Sequence, residues 1–269
     1  MKTLKNAIGD FILLVIVSCM LVPFIYMLIM SFKVTYTAYN FSLSLSDVTL
    51  QNYITIFKDS NFMHYFFNSM FIAISGVVLT VIFSSLAGYA FAKMDFAGNN
   101  KLFFFMIITL IIPSQVTMIP LYIIMRKLGW IDSYLALILP IPTAFGVFLM
   151  RQAILNIPKE LLESAKIDGC SDFRIFFQIV LPLIKPAIIT LSIFTFVGAW
   201  NEFLWPLIIT TDDTVRTLTV GLSTLGAQYT VNYGLIMAGA TITFIPSLIF
   251  YLILQNKFVE GVTLSGMKG

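Results

Sequence analysis

The feature that most restricts this chain is a series of long apolar runs. Six of them, at about 11–32, 65–92, 102–125, 134–150, 183–209 and 234–255, approach or exceed the length of a membrane span. A helix needs about 20 mostly apolar residues to cross a hydrocarbon core of about 30 Å. The first run, Phe11 to Phe32, carries no charge at all. The runs are continuously apolar rather than alternating, which argues against a β-barrel. Composition argues against a soluble fold: 59% of the residues are hydrophobic and 11% charged. Ordinary soluble domains are about 25% charged, and so few charges could not cover a water-facing surface. The expectation is an all-α polytopic membrane protein with six transmembrane helices.

Prolines at 23, 113, 120, 140, 142, 206 and 246 lie inside or near the ends of these runs. Membrane helices tolerate such breaks where neighbouring groups satisfy the freed backbone. The first run follows Lys2 and Lys5, as a signal peptide would, but it is too long for a typical signal core and no small-x-small cleavage site follows. It is read as a retained helix. Six spans put both termini on one side. That side collects eleven of the sixteen Lys and Arg residues, and the other five are Lys33, Lys58, Arg126, Lys127 and Arg216. The bias predicts that both termini are cytoplasmic. The formal charge of +3 follows from that bias and does not point to nucleic acid.

The division expected is a first helix and outer loop over 1–64, a core over 65–256 containing a cytoplasmic loop at 151–185, and a tail over 257–269. Within the outer loop a short helix is expected after Thr49. The segment 210–232 reads as polar loop. Cys19 and Cys170 lie on different elements and are read as unpaired thiols.

The loop at 151–185 differs from the other connections. Asn156 and Pro158 suit a helix start. Ile157, Leu161, Leu162 and Ala165 recur at helical spacing, and Gly169 suits a helix stop. Ser171 and Asp172 are placed to cap a second short helix, with Phe173, Phe176, Phe177 and Val180 on its apolar side. Pro182 should end or kink that helix. Two roles suit such a segment: an amphipathic helix resting on lipid headgroups, or a docking element for a cytoplasmic protein.

No Gly-x4-Gly-Lys-Ser/Thr loop is present, so the chain has no usual cradle for nucleotide phosphates. His64 is the only histidine, which leaves neither a usual zinc set nor a catalytic triad. The chain is not expected to be an enzyme.

Glu163-Ser164-Ala165, three residues ending in Asp168, Gly169, nine residues, Ile179, one residue and Leu181-Pro182 resemble the EAA loop of permeases in binding-protein-dependent ABC importers. That family pattern is Glu-Ala-Ala-x3-Gly-x9-Ile-x-Leu-Pro. Every spacing agrees, and the one departure is Ser164 for the first alanine. Phe67-Asn68-Ser69, Leu86 to Ala92, Trp200-Asn201-Glu202-Phe203 and the tail from Glu260 to Gly269 are similar to the carbohydrate branch, in particular to the six-helix subunit of the maltose-type permease pair.

The resemblance implies a type I ABC importer transmembrane fold. Two permease subunits, usually different, would form the pathway. Two ATPase subunits would dock below and bind ATP-Mg, while this chain binds no cofactor itself. An extracytoplasmic sugar-binding protein would deliver substrate, and ATP binding would turn the pathway from inward-facing to outward-facing. It implies ATPase-coupling roles for Glu163, Ser164, Ala165, Asp168, Gly169, Ile179, Leu181 and Pro182, with Glu163 meeting a basic residue of the ATPase. It also implies that the tail, at Gly266, Met267 and Lys268, reaches the ATPase dimer; a frayed terminus is the other reading.

Glu202 is the conspicuous charge within a run. A carboxylate at mid-membrane costs about 2.5–3.5 kcal/mol on insertion scales, so it is expected to face a water-filled path or a partner. Trp200, Asn201 and Trp205 beside it suit either pathway or gate lining, through contacts with sugar rings and hydroxyls, or anchoring at the outer interface. In the maltose-type family sugar contacts lie mainly in the partner subunit, which favours anchoring. The runner-up function is an ion-coupled secondary transporter of a small polar solute, but apart from Glu202 the buried ionisable residues it needs are absent. A membrane enzyme or a membrane scaffold without transport would also fit the composition. The full-length loop match separates the importer from all three.

Overall fold

The computed structural model describes residues 2–36, 47–59, 61–228 and 232–266, with side chains over 9–36, 47–58, 61–225 and 232–253. In chain order the helices are α1 (Lys2–Ser31), α2 (Gln51–Asp59), α3 (Phe62–Lys93), α4 (Asn99–Ile108), α5 (Ser114–Lys127), α6 (Tyr134–Ile138), α7 (Ala144–Leu155) and α8 (Lys159–Ile167). They continue with α9 (Asp172–Ile175), α10 (Leu181–Leu183), α11 (Lys185–Asn201), α12 (Leu204–Ile209), α13 (Leu218–Gln228) and α14 (Tyr233–Gly266). A 3₁₀ turn at Thr109–Ile111 extends α4, and a π-helical turn at Phe176–Val180 joins α9 to α10.

Among the described residues, three helices are long and apolar enough to cross a membrane: Gly9–Ser31, Phe62–Lys93 and Tyr233–Ile253. Two further candidates are bent pairs, Asn99–Ile111 with Ser114–Lys127 at 104°, and Asp172–Leu183 with Lys185–Asn201 at 75°. Ala144–Leu155 is a shorter apolar helix. The six expected runs are thus three continuous helices and several broken ones. The third run breaks because Pro113 has no N–H to donate and pushes Ile112 to extended backbone, with ψ 117°. The fourth is split into α6 and α7 across Pro140 and Pro142. The fifth stops at Asn201, because Glu202 adopts extended backbone (ψ 130°), and restarts as α12. Pro23 and Pro246, by contrast, sit inside continuous helices. The polar segment expected over 210–232 contains a helix, α13.

The chain divides into two compact units, Met1–Phe66 with Leu218–Pro246, and Phe67–Thr217 with Ser247–Gly269. In the first, α2 forms where expected, and Asn52 at its start is a buried hub. Its side-chain amide donates to the carbonyls of Ser31 (2.9 Å) and Lys33 (2.8 Å) and accepts from Asn232 at 3.4 Å. These bonds help to satisfy carbonyls at the end of α1, which have no intrahelical partner. The side chains of α1 from Gly9 to Phe24 are exposed and apolar almost throughout, as a lipid-facing or partner-facing helix requires.

The second unit holds two apolar cores. One gathers Ile72, Met125, Leu137, Trp205, Ile209 and Val215. The other gathers Tyr89, Met150, Ile154, Leu162, Ile175, Phe176, Val180 and Leu191. Between them α3 crosses α7 at close range, through Gly76, Ser84 and Gly88 on α3. Gly76 lies under Ile141, Gly146 of α7 lies on Ser84, and a Cβ added at Gly88 would meet Met150 Cβ at 2.7 Å and the Arg151 N at 2.9 Å. Small residues let membrane helices approach this closely, and dispersion and packing then hold them.

A polar clasp closes the end of the unit away from α8. Asn68 is buried; its amide donates to the carbonyls of Thr214 (3.1 Å) and Arg216 (3.0 Å), and Tyr134 donates its hydroxyl to Asn68 Oδ1 at 2.6 Å. Asp132 has φ 55°. Its carboxylate accepts from the Thr211 N–H at 2.6 Å, the Asp212 N–H at 3.2 Å and the Thr211 hydroxyl. Burial alone would raise the Asp132 pKa. The Thr211 and Asp212 hydrogen bonds and the Arg216 charge outweigh it and hold the carboxyl below its ordinary value.

Candidate coupling site

The loop singled out by its spacing folds as two short helices joined by a tight turn. α7 runs on to Leu155, so the first residues of the expected loop complete that helix. Pro158 is the N-cap of α8, its extended backbone (ψ 137°) leading into the helix, and Glu160 in the first turn suits the positive end of the helix dipole. Leu162 and Ala165 are buried against the core, while Glu163, Ser164, Lys166, Ile167 and Asp168 are exposed. A small residue is therefore required at 165 by packing. Glu163 and Ser164 remain on the open face, with the Ser164 hydroxyl donating to the Leu161 carbonyl at 3.0 Å.

Gly169 ends α8 with φ +80°. The Cys170 N–H donates to the Ala165 carbonyl and the Gly169 N–H to the Lys166 carbonyl, each at 3.0 Å. These two bonds are the Schellman arrangement, which places its C′ residue in the left-handed region and so favours glycine. Nothing lies within 4 Å of a Cβ added there, so backbone conformation, not crowding, selects the residue. Ser171 caps α9 by accepting from the Arg174 N–H at 3.4 Å. Lys166 pairs with Asp172 across the turn at 3.1 Å. The hydrogen bond from Lys166 to Asp172, with the Asp172 charge, holds the ammonium above its ordinary pKa. Exposed pairs of this kind stabilise little, and this one chiefly orients the turn.

The second half of the motif is internal. Ile179 and Leu181 are half-buried and pack against the core below α8, and Pro182 is exposed within α10. Pro182 neither ends nor kinks the segment; the break falls at Ile184 (φ −92°, ψ 10°), where α11 begins at 75°.

Three helices hold this loop. Lys93, at the end of α3, donates its ammonium to the Ile157 carbonyl at 2.7 Å, immediately before α8. Tyr89 of α3 packs on Phe176, ring centroids 5.3 Å apart. Met150 and Ile154 of α7 are buried in the same core, and α11 follows directly from α10. Sequence reasoning missed Lys93 and Tyr89 as parts of the site. Lys93 was visible there only as one more basic residue at a helix end.

The four interior residues do not act together. Trp200 is 1% exposed and stacked on Phe196 at 5.8 Å, which itself stacks on Phe250 at 4.0 Å. Trp205 is 7% exposed and donates its indole N–H to the Ala136 carbonyl at 2.9 Å. Both tryptophans pack inside the second unit, which agrees with the structural reading of the two weighed for them. Asn201 and Glu202 are exposed. Asn201 donates its side-chain amide to the Val197 carbonyl at 2.8 Å, and Glu202 accepts from the Trp205 N–H at 3.2 Å. Glu202 is therefore not a charge in mid-helix: it stands at a helix break and caps the first turn of α12. Of the tail residues, Met267 and Lys268 lie outside the described residues, and Gly266 is the last helical residue of α14. Among the described residues, no group of three or more His, Cys, Asp or Glu could hold a metal.

The chain matches, over residues 80–263, a family model described as binding-protein-dependent transport system inner membrane component. It is 42% identical over 226 residues to the arabinooligosaccharides transport system permease protein AraQ of Halalkalibacterium halodurans, covering 83% of this chain and 81% of that one. It is 31% identical over 267 residues to the lactose transport system permease protein LacG of Rhizobium radiobacter, covering 97% and 98%. Its fold is similar, with a TM-score of 0.83 and 25% identity over 95% of this chain and 96% of the other, to a crystal structure of a bacterial ABC transporter involved in the import of the acidic polysaccharide alginate.

Proposed function

The chain belongs to the family of binding-protein-dependent transport system inner membrane components, and from that premise we propose that it is the permease subunit of an ATP-driven sugar importer. Its relatives are named for arabinooligosaccharides and lactose, and the structural neighbour imports alginate, so the substrate class is an oligosaccharide. A second permease subunit completes the pathway, two ATPase subunits drive it, and an extracytoplasmic binding protein supplies the sugar. ATP-Mg is bound and hydrolysed by those partners. The chain crosses the plasma membrane several times with both termini in the cytoplasm, the side that the Lys and Arg bias assigns.

The observation that carries this reading is the division of labour within the loop 163–182. Glu163, Ser164, Asp168 and Gly169 lie on an open surface, and Ala165, Ile179 and Leu181 face the core beneath it. The ATPase docks on the open face, and a charged hydrogen bond to Glu163 fixes its register. Movement of α8 then reaches α3 through Lys93 and Tyr89, α7 through Met150 and Ile154, and α11 through the bend at Ile184. Asn201 and Glu202, exposed at the break between α11 and α12, are the pathway-facing groups. Gly266, Met267 and Lys268 add a second contact to the ATPase.

The test is Glu163→Lys in the assembled importer. Insertion and abundance should be unchanged, while the ATPase is lost on purification and sugar uptake falls by at least about tenfold, the factor that losing about 1.4 kcal/mol of docking energy would give. Normal recovery of the ATPase with this variant would remove Glu163 from the docking surface.

A further inference from the structure

The turn between α3 and α4 opens a cavity of about 800 Å³ that the coupling loop does not use. Its walls include Phe91, Phe96, Asn100, Lys101, Arg151 and Leu155. We propose that this cavity seats the phosphate of an anionic phospholipid from the cytoplasmic leaflet; the proposal rests on the orientation given above.

Arg151 is held in place by two contacts and has no anionic partner among the described residues. Its guanidinium lies over the Phe103 ring, 4.1 Å from the centroid, and its Nε–H donates to the Phe91 carbonyl at 3.3 Å. The ring contact and that single bond fix the plane of the group. They leave the four Nη–H donors without an acceptor among the described residues, in the planar fork that suits a phosphate. Lys101 lines the same cavity, is exposed, and has no ion-pair partner among the described residues. Asp95 is the one carboxylate in the walls and makes no ion pair with either cation. The first-turn N–H groups of Asn100 and Lys101 have no intrahelical acceptor and lie on the same wall.

The choice of a lipid over a soluble phosphate follows from what adjoins the cations. α4 has no buried residue along its length. Directly beyond Lys101 it presents Leu102, Phe104 and Phe105, each more than half exposed. A cationic pocket at the mouth of a bare apolar helix face matches a molecule with a charged head and hydrocarbon chains. Basic pockets of this kind at the cytoplasmic ends of spanning helices take anionic headgroups.

The assembled importer, purified in mild detergent and passed into nanodiscs of phosphatidylcholine alone or with phosphatidylglycerol, is examined by native mass spectrometry for retained lipid. Wild type should keep phosphatidylglycerol through delipidation. Lys101→Gln, whose native side chain makes no hydrogen bond or ion pair among the described residues, should weaken retention about fivefold, the equivalent of one basic residue at an anionic surface. Arg151→Gln should weaken it further, and Arg151→Lys should restore part of it. Unchanged retention in Lys101→Gln and Arg151→Gln would overturn the proposal. So would protection of Lys101 from acetylation by inorganic phosphate but not by phosphatidylglycerol vesicles, which would make the ligand a free anion. Recovery of the ATPase with each variant is scored in parallel. Its loss would count against the docking reading and not against the lipid site.

Discussion

Gly88→Ala tests the crossing of α3 and α7 directly. The added Cβ would sit 2.7 Å from Met150 Cβ and 2.9 Å from the Arg151 N. Carbon atoms rest about 3.5–4.0 Å apart, so α7 must retreat by roughly 1 Å, because the obstructing atoms are backbone and Cβ, not the end of a flexible side chain. Overpacking of this kind costs about 1–3 kcal/mol. The intrinsic preference of a helix for alanine returns about 0.5–1 kcal/mol of that. Gly9→Ala in α1 is the control, since nothing lies within 4 Å of a Cβ there and only the helix preference acts. The assay is thermal inactivation of the purified importer, followed by size-exclusion and by uptake in proteoliposomes. The net loss of about 1 kcal/mol corresponds to roughly 2–4 °C for a chain of this size. The expected result is a lower inactivation temperature for Gly88→Ala and an unchanged or slightly higher one for Gly9→Ala. Because the retreat moves Met150 in the floor of the coupling core, uptake should fall more than ATPase activity. Equal inactivation temperatures for the two variants would refute the close crossing.

Replacement of Gly169 should follow backbone tolerance, not side-chain size: Asn is mildest, Ala intermediate and Val worst, with Ala costing about 1–2 kcal/mol in the left-handed region, as read by uptake. An order set by volume would mean that crowding by the docked ATPase decides. Lys93→Met removes the bond to the Ile157 carbonyl and should lower uptake per ATP hydrolysed while the ATPase still co-purifies; unchanged coupling would take Lys93 out of the site. Asp132 has a depressed pKa, so its contribution is present above the ordinary Asp value of about 3.9 and is lost as pH falls through the lower folded value. Hydrogen exchange of residues 128–133 and 210–216, taken relative to the intrinsic amide rate at each pH, should rise as pH is lowered through the folded value from about pH 6 in the wild type. In Asp132→Asn it should be high throughout, and a pH-independent wild type would dismiss the carboxylate as the clasp.

The spanning character of the chain was legible because apolar length is a local property. The local fold of the loop after α7 was legible for a similar reason: Leu162, Ala165, Gly169 and Ser171 act through helical period, a left-handed turn and a cap, all set within a few residues. The breaks were harder to read. Proline alone does not place them, since Pro23 and Pro246 are carried inside continuous helices while the break at Glu202 and Phe203 has no proline in it. Glu202 looked like a charge within a span because the apolar run hides the point where the backbone turns extended. The bond from Lys93 to Ile157 was invisible, as it joins residues 64 apart. The burial of Trp200 and Trp205 depends on Phe196, Phe250 and Ala136, which period and composition do not bring together.

The π-helical turn at Phe176–Val180 is equivalent to one extra residue in an otherwise α-helical path. At about 3.6 residues per turn, that residue rotates everything after it by about 100°. The nine residues between Gly169 and Ile179 therefore set a phase as well as a distance. They determine which face of α10 and α11 meets the core beneath Ala165 when the open face of α8 is outward. Deleting a single residue there would leave every motif side chain in place in the sequence, yet turn Ile179, Leu181 and the whole of α11 to face other neighbours.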